Sequence, residues 1–190
     1  TDILHLNKLN KKFDIIESIG TLHHMEDPIK GLRVLLDTLE PHGFLKLGLY
    51  SQTARQGVIK VKEFIKKENL GNSIEDIRVC RKAVINQKED PFIRMLSLCN
   101  DFYSTSGVRD LFFNIQEHRF TIPEIANILK TFNLEFLGFT FTSEHIKNRF
   151  SKAYPGDKSN ISLDNWHQFE LKNPEIFFGM YKFWVRKNQN

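Results

Sequence analysis

The most regular pattern of hydrophobic and polar positions lies near the start of the chain. Residues 13 to 19 set a phenylalanine and three isoleucines among polar residues and are followed by a glycine, which predicts a strand packed on both faces. Asp27 and Pro28 have the order of a helix N-cap and a first helical residue, and leucines then recur at helical spacing until Pro41 stops the helix. Residues 44 to 50 are again rich in apolar side chains and predict a second strand.

A strand, a helix of about three turns and another strand form a right-handed crossover unit, which pairs the two strands in parallel. In sheets of this kind, ligands bind beyond the carboxyl ends of the strands. Residues 18 to 24 follow the first predicted strand and residues 50 to 55 follow the second. We therefore expect these two segments to line a binding site.

Further along the chain, the pattern predicts a group of helices and then two more strands. Three apolar stripes at helical spacing occupy residues 56 to 99, with breaks near Gly71 and Pro91. Residues 134 to 141 and residues 179 to 185 alternate with large side chains and predict strands. This helical insertion is longer than a simple crossover between two strands requires.

Three more helices are predicted around these last strands. Thr121 and Glu124 have the spacing of a capping box, at the start of a helix over residues 124 to 132. The other two helices are predicted over residues 143 to 149 and residues 162 to 172. Three residues of the last segment are expected to pack or cap rather than to reach a ligand: Asp164, Trp166 and Glu170.

Residues 100 to 125 form a second dense group of polar and aromatic side chains. Glu117 and His118 stand out because a histidine near its neutral pKa, or a glutamate whose pKa burial raises, can accept a proton. The same glutamate can instead pair with Arg109 or Arg119 to hold a loop, and both interpretations stay open.

Composition narrows the class of protein. The 41% hydrophobic content is enough for a core of one domain, or most of one. The net charge of +4 is small and dispersed, which argues against nucleic-acid binding. Two cysteines without metal-type spacing or a signal peptide are typical of a reduced, cytoplasmic protein. No apolar run approaches the about 20 residues that a membrane span needs.

Residues 1 to 55 resemble class I methyltransferases that use S-adenosylmethionine (SAM). The segments FDII, LHHM with the following DP, and LEPHGFL are similar to the fourth strand, the next helix and the fifth strand of that family. Thr1-Asp2-Ile3 is similar to the Gly-Asp-Ile segment after the third strand. The resemblance implies an α/β fold with a partial Rossmann-like sheet, strands four to seven, whose last strand lies antiparallel between its neighbours.

The resemblance also implies where the cofactor SAM lies. In the family, an acidic residue after the third strand accepts a hydrogen bond from the adenine amino group, and the backbone after the fourth strand runs along the methionine part. Carried over by position, these roles fall on Asp2, Ile3, Ser18, Ile19 and Gly20. His23 is expected in the turn that closes the pocket, and two adjacent histidines alone do not predict a metal site.

The family's glycine-rich loop and the acidic residue that holds the ribose both precede Thr1, so this chain is interpreted as the carboxyl-terminal part of a methyltransferase domain. Residues 1 to 55 are then the residual SAM-binding part, and residues 100 to 190 are an acceptor-side segment with the final strands. In such enzymes an insertion like residues 56 to 99 usually forms a lid over the acceptor. Its apolar stripes equally suit a core, and this alternative stays open.

Residues 100 to 125 resemble the acceptor-side segment of a bacterial methyltransferase subgroup. Glu117 and His118 become candidate catalytic residues, because an acceptor oxygen or nitrogen must lose a proton as it attacks the methyl group. The candidate substrate-binding residues are Tyr50, Arg55, Tyr103, Arg109 and Arg119. The acceptor itself is unknown.

The predicted function is methyl transfer from SAM to this acceptor, and the alternative is a non-catalytic binding or interaction module that keeps the fold. Another nucleotide-binding Rossmann-like protein is disfavoured by the LHHM turn. In the family order the strand at residues 13 to 19 is central, so here it becomes an apolar edge. We expect that edge to associate, with a homodimer across a two-fold axis as the simplest form.

Overall fold

A computed structural model of the protein describes residues 2 to 87, 89 to 114, 116 to 141 and 143 to 188. The strands are β1 (Phe13–Ile19), β2 (Leu39–Leu49), β3 (Leu134–Phe139) and β4 (Tyr181–Lys187). The α-helices are α1 (Pro28–Thr38), α2 (Gln56–Lys67), α3 (Ile74–Asn86), α4 (Pro91–Leu96), α5 (Thr105–Phe112), α6 (Ile122–Thr131), α7 (Glu144–Ala153) and α8 (Leu163–Lys172). Short 3-10 helices cover Ile3–Leu9, Leu22–His24 and Asn100–Tyr103.

The strands form one mixed sheet in the order β1-β2-β4-β3. β1 and β2 are parallel, as expected for two strands joined by the crossover helix α1. β4 lies between β2 and β3 and is antiparallel to both. The fold is therefore α/β, with the antiparallel last strand that the sequence analysis expects.

Local sequence signals explain where two helices begin. The Asp27 carboxylate accepts hydrogen bonds from the backbone amides of Ile29 and Lys30, which caps α1 ahead of its first-turn proline. Thr121 and Glu124 form the predicted capping box at the start of α6, with the Glu124 carboxylate accepting from the Thr121 amide at 2.7 Å. These interactions satisfy amide groups that have no partner inside a helix.

The start of β2 differs from the prediction, because the strand begins at Leu39 rather than near residue 44. Phe13 pairs with Leu39 while Ile15 pairs with Phe44, so β2 accommodates extra residues in a bulge. This bulge holds the proline and the glycine that were expected to separate helix from strand, and His42 within it has a left-handed φ of 63°.

Most side chains of β1 are exposed, so the prediction that β1 packs on both faces is wrong within the described residues. Ser18 is buried, whereas Ile15 is 59% exposed. The exposed face continues onto β2 at Phe44, and Lys46 there pairs with Glu17 of β1 at 3.3 Å. β1 also forms one edge of the sheet. The chain thus presents an apolar strand that is covered on one face only.

An aromatic core fixes α7 and α8 in the sheet-containing part of the fold. Trp166 of α8 is 1% exposed and stacks on Phe150 of α7, with ring centroids 3.7 Å apart. The Trp166 indole nitrogen donates to the Asn160 carbonyl at 2.8 Å, so its one polar group is satisfied. Phe139 of β3 meets the Trp166 ring edge-on. Trp166 is thus a packing residue, as the sequence analysis expects.

Contacts divide the chain into two compact units. One contains the sheet with α1 and α6 to α8, and it comprises the chain up to Thr53 and from His118 onwards. The other is Ala54–Glu117, which contains α2 to α5. This helical unit continues to Glu117, whereas the predicted helical insertion ends at residue 99. The lid role of the insertion, and the division into SAM-binding and acceptor-side parts, remain predictions.

Candidate functional site

The carboxyl ends of β1 and β2 lie side by side, as their parallel pairing requires. Ile19, the last residue of β1, pairs with Gly48, and the Gly20 amide donates to the Gly48 carbonyl at 3.3 Å. Gly20 has a φ of 78°, which favours glycine, and no described atom lies within 4 Å of the position that its side chain would occupy. The backbone at the end of β1 is therefore open to close approach by a ligand.

Ser18 places a polar group beside this opening. Its side chain faces the buried side of β1 and is 5% exposed, and its Oγ atom has no hydrogen-bond partner in the described part of the chain. A buried hydroxyl without a partner costs about 1–3 kcal/mol. A ligand oxygen or nitrogen, or a water molecule, would recover that free energy, so Ser18 and Gly20 together fit a polar ligand.

Three aromatic rings pack together just beyond the strand ends. His23 is fully buried and stacks on Tyr50, with ring centroids 3.7 Å apart and an interplanar angle of 25°. His24 meets both rings edge-on, at 4.4 Å from His23 and 5.6 Å from Tyr50. The fold therefore brings the predicted cofactor residue His23 next to the predicted substrate residue Tyr50.

The segment 118 to 120 crosses the ends of both strands and adds His118 to this group. The His118 amide donates to the His23 carbonyl at 2.8 Å. The Phe120 amide donates to the Tyr50 carbonyl, and the Phe120 carbonyl accepts from the Gln52 amide, both at 2.8 Å. We call His23, Tyr50 and His118 the strand-end cluster. Arg119 is half-buried within the same segment.

The helical unit holds a second group of predicted residues, centred on Glu117. The Arg55 guanidinium donates to both carboxylate oxygens, at 2.5 and 3.3 Å, and the Lys62 ammonium lies 3.5 Å from one of them. The Arg55 and Glu117 side chains are only 6% and 2% exposed. Both oxygens of Glu117 are thus engaged by cations, which supports a loop-holding role.

Glu117 has two partners that the sequence did not suggest, Arg55 and Lys62, and pairing with Arg119 remains a prediction. Arg109, one predicted partner, donates instead to the Asn72 carbonyl at 3.1 Å. Tyr103 is 69% exposed and donates to the Ser97 carbonyl at 2.7 Å. Both residues are therefore anchored within the helical unit, and their roles in substrate binding remain predictions.

Asp2 and Ile3, the predicted adenine-side residues, lie at the start of the first 3-10 helix. The Asp2 carboxylate accepts a hydrogen bond from the Leu4 amide at 3.0 Å and caps that helix. Ile3 is half-buried, and the helix packs against α1. This capping bond engages one oxygen of the Asp2 carboxylate.

A buried polar network beneath the strand ends was not predicted. The carboxylate of Glu170, on α8, accepts from the Ser51 hydroxyl at 2.6 Å and from the Tyr181 hydroxyl at 2.7 and 2.8 Å. All three side chains have 0% exposure. Glu170 follows Trp166 by one helical turn on the buried stripe of α8, and a carboxyl group on an apolar stripe was the signal available in the sequence. We call these residues the Glu170 network.

Burial sets the protonation properties of this network. It raises the pKa of the Glu170 carboxyl, although the hydrogen bonds from Ser51 and Tyr181 act in the opposite direction. Burial, followed by the neighbouring Glu170 charge, also raises the pKa of Tyr181. Tyr181 therefore stays a protonated hydrogen-bond donor at neutral pH.

The described residues form neither a metal-ligand cluster nor a membrane-spanning helix. No group of three or more histidine, cysteine, aspartate or glutamate side chains is arranged to hold a metal ion there. Within the same ranges, no helix combines the length and the apolar character that crossing a bilayer requires.

Solved structures share this fold. The chain aligns over its full length with PKMT2 from Rickettsia typhi, at a TM-score of 0.66, 14% identity and 38% coverage of that protein. A structure of PKMT2 in complex with AdoHcy (S-adenosylhomocysteine) gives a TM-score of 0.70, also at 14% identity, with 39% of that chain covered. The protein therefore shares the α/β fold of this part of PKMT2.

Sequence comparison finds distant relatives. An uncharacterized protein of Synechococcus is 24% identical over 181 residues, covering 89% of this chain and 43% of the relative. A probable serine/threonine-protein kinase of Dictyostelium discoideum is 32% identical over 85 residues, which cover 45% of this chain but only 3% of the kinase. No protein-family model matches the chain. The chain thus spans less than half the length of these relatives.

Proposed function

We propose that this chain is the carboxyl-terminal part of a SAM-dependent methyltransferase, which transfers a methyl group from SAM to an acceptor. The observation that carries the proposal is the end of β1, where the open backbone of Gly20 follows the buried Ser18 hydroxyl, which has no hydrogen-bond partner among the described residues. The full-length alignment with PKMT2, which has been solved with AdoHcy, supports SAM as the ligand. The early resemblance of residues 1 to 55 supports the same cofactor.

In this proposal, the residues at the strand ends hold the cofactor. The Ser18 hydroxyl and the backbone of Ile19 and Gly20 contact the methionine part, and His23 closes the pocket against Tyr50. When bound, SAM supplies an electrophilic methyl group on a sulfonium. The adenine side is assigned to the Asp2 segment by resemblance.

His118 is the better of the two proposed catalytic residues. Its backbone is held against the His23 turn, and an imidazole can accept a proton at neutral pH. Glu117 is already bonded to two cations, which makes its carboxylate a poor proton acceptor. Tyr50 and Arg119 are the proposed acceptor contacts near His118, and orientation of the acceptor supplies most of the rate.

The test is calorimetric titration of AdoHcy into this chain and into a version extended towards the amino terminus along its reading frame. Gly20→Ala should weaken binding by at least about tenfold, because the added methyl occupies the space assigned to the ligand. Gly138→Ala is the matched control, since Gly138 also has a positive φ of 129° and no described atom near its side-chain position. Equal effects of both changes, or no binding by either version, would favour a non-catalytic module.

The exposed edge strand supports a proposal about partners. Phe13, Ile15 and Ile19 of β1 are 40%, 59% and 37% exposed, and an apolar edge of this kind tends to pair. We propose that the isolated chain forms a homodimer through β1. Light scattering should then give about twice the 22.3 kDa mass of one chain. Ile15→Lys should restore the monomer, whereas Leu98→Lys, at a 78% exposed position in the helical unit, should not. A monomer at every concentration refutes the dimer.

A further inference from the structure

We propose that Glu170 is a positioning residue for the strand-end cluster, which rests on the proposed function for its role in methyl transfer. Glu170 lies on α8 and is fully buried, and its carboxylate accepts hydrogen bonds from two buried hydroxyl groups. The two hydroxyl donors come from separate parts of the sheet. Ser51 lies just after the end of β2, and Tyr181 is the first residue of β4.

A continuous chain of bonds links Glu170 to both rings of the stack. Ser51 directly follows Tyr50 and forms a parallel bridge with Phe120. The Phe120 amide donates to the Tyr50 carbonyl, and the Phe120 carbonyl accepts from the Gln52 amide. The backbone on both sides of Ser51 is therefore bonded to Phe120. Two residues before Phe120, the His118 amide bonds to the His23 carbonyl. Holding Ser51 therefore fixes the backbone that presents Tyr50 and His118.

The free-energy cost of burying Glu170 shows what the network supplies. Removing a carboxyl group from water costs free energy, and an aliphatic side chain of similar volume would pack on this stripe without that cost. In return, the carboxylate meets the Ser51 and Tyr181 hydroxyls at 2.6 to 2.8 Å. Hydrogen bonds are directional, so they fix the distance between α8 and the strand ends more tightly than apolar packing alone does. The aromatic core of α7, α8 and β3 can hold the fold itself.

The two hydroxyl donors allow positioning to be separated from general stability. Ser51→Ala and Tyr181→Phe each remove one hydroxyl from the same carboxylate, but only Ser51 is joined directly to the strand-end cluster. Ser51→Ala should therefore disturb the His23–Tyr50 stack. Tyr181→Phe removes a hydroxyl that also bonds to Ser51 but keeps the Ser51–Glu170 bond, so it should disturb the stack less. Glu170→Leu should act like Ser51→Ala, while Glu170→Gln keeps an acceptor oxygen for Ser51 and should preserve the stack.

The stack can be measured directly by NMR. Tyr50 lies 3.7 Å from the His23 ring, so its ring current shifts the His23 carbon-bound ring protons upfield. These signals are assigned by their loss in His23→Gln and followed in each folded variant, with AdoHcy affinity measured in parallel. We expect Glu170→Leu and Ser51→Ala to lose the upfield shift and to bind AdoHcy about tenfold more weakly, the equivalent of one hydrogen bond.

The outcomes separate this proposal from the proposed function. If Tyr181→Phe moves the His23 signals as much as Ser51→Ala, or if folded Glu170→Leu leaves them unchanged, the positioning role is refuted. If Glu170→Leu does not fold, Ser51→Ala against Tyr181→Phe still decides. Loss of the shift in a chain that binds no AdoHcy in any form supports the positioning role and refutes the proposed function. Thr38→Val, which removes a buried hydroxyl bonded to α1 carbonyls, is the control for unrelated hydroxyl loss.

Discussion

Arg55→Met should destabilise the chain strongly, because it leaves the Glu117 carboxylate buried without its main cation. The Glu117 side chain is 2% exposed and receives two hydrogen bonds from Arg55. Removing one partner of a buried ion pair typically costs about 3–5 kcal/mol, since the other charge stays desolvated. Lys62 is 3.5 Å from the same carboxylate and can compensate only in part, so we expect about 3 kcal/mol.

A double-mutant cycle separates the pair from the rest of the unit. Glu117→Leu alone removes the carboxylate to which the buried Arg55 guanidinium donates two hydrogen bonds, and it should also destabilise the chain. The double variant Arg55→Met with Glu117→Leu removes both charges, and it should lose less stability than the two single changes added together, by about 1–3 kcal/mol. Lys62→Met is the matched control, because Lys62 is 24% exposed and its contribution should stay below about 1 kcal/mol.

The free energy of unfolding is measured for each variant by urea denaturation, followed by circular dichroism. An Arg55→Met loss below about 1 kcal/mol, or strict additivity in the cycle, would refute the loop-holding role of Glu117. The same variants can be assayed for the proposed methyl transfer in the version extended towards the amino terminus. If Glu117→Gln keeps its stability but loses methyl transfer, the result would support Glu117 as the general base.

Three further predictions concern single sites. Burial raises the pKa of Glu170, so the folded chain keeps that proton to a higher pH than the unfolded chain does. The free energy of unfolding should therefore fall as pH rises above the usual glutamate range, and urea denaturation at a series of pH values should show that slope lost in Glu170→Gln. Burial also raises the pKa of Cys80 to about 11, so a thiol reagent at neutral pH should modify only the half-buried Cys99 until the chain is unfolded, and fast labelling of both thiols would contradict this. Gly107→Ala should cost about 1–3 kcal/mol despite the better helix propensity of alanine, because the new methyl would meet a backbone carbonyl, whereas Gly156→Ala, in open space, should be near neutral in thermal unfolding.

Most of the secondary structure in the sheet-containing unit could be predicted from local sequence signals. β1 covers residues 13 to 19 as predicted, and the capping box at Thr121 is present, because both depend on neighbours within a few residues. The start of β2 was not predictable in this way. Pro41 usually ends regular structure, and only the pairing of Leu39 with Phe13 shows that the strand continues around the bulge.

The candidate site was predictable where topology determines it. Parallel pairing brings the ends of β1 and β2 together, so His23 and Tyr50 were expected to lie near one another, and they do. The partners of Glu117 were not predictable, because Arg55 is 62 residues away and no periodic pattern connects the two. The Glu170 network was not predictable for the same reason, because Ser51 and Glu170 are 119 positions apart in the sequence.

Glu117 and His118 are adjacent in the sequence but differ in how well they suit the role of general base. Glu117 ends the helical unit with both carboxylate oxygens bonded to cations, whereas His118 begins the second part of the sheet-containing unit with its amide bonded to the His23 turn. Protonation of the Glu117 carboxylate would weaken the charge-assisted hydrogen bonds that it accepts from Arg55 and Lys62. His118 bears no such cost from its backbone contact. The base in the proposed reaction is therefore better sought at His118, beside the strand ends where the sequence predicts a ligand site.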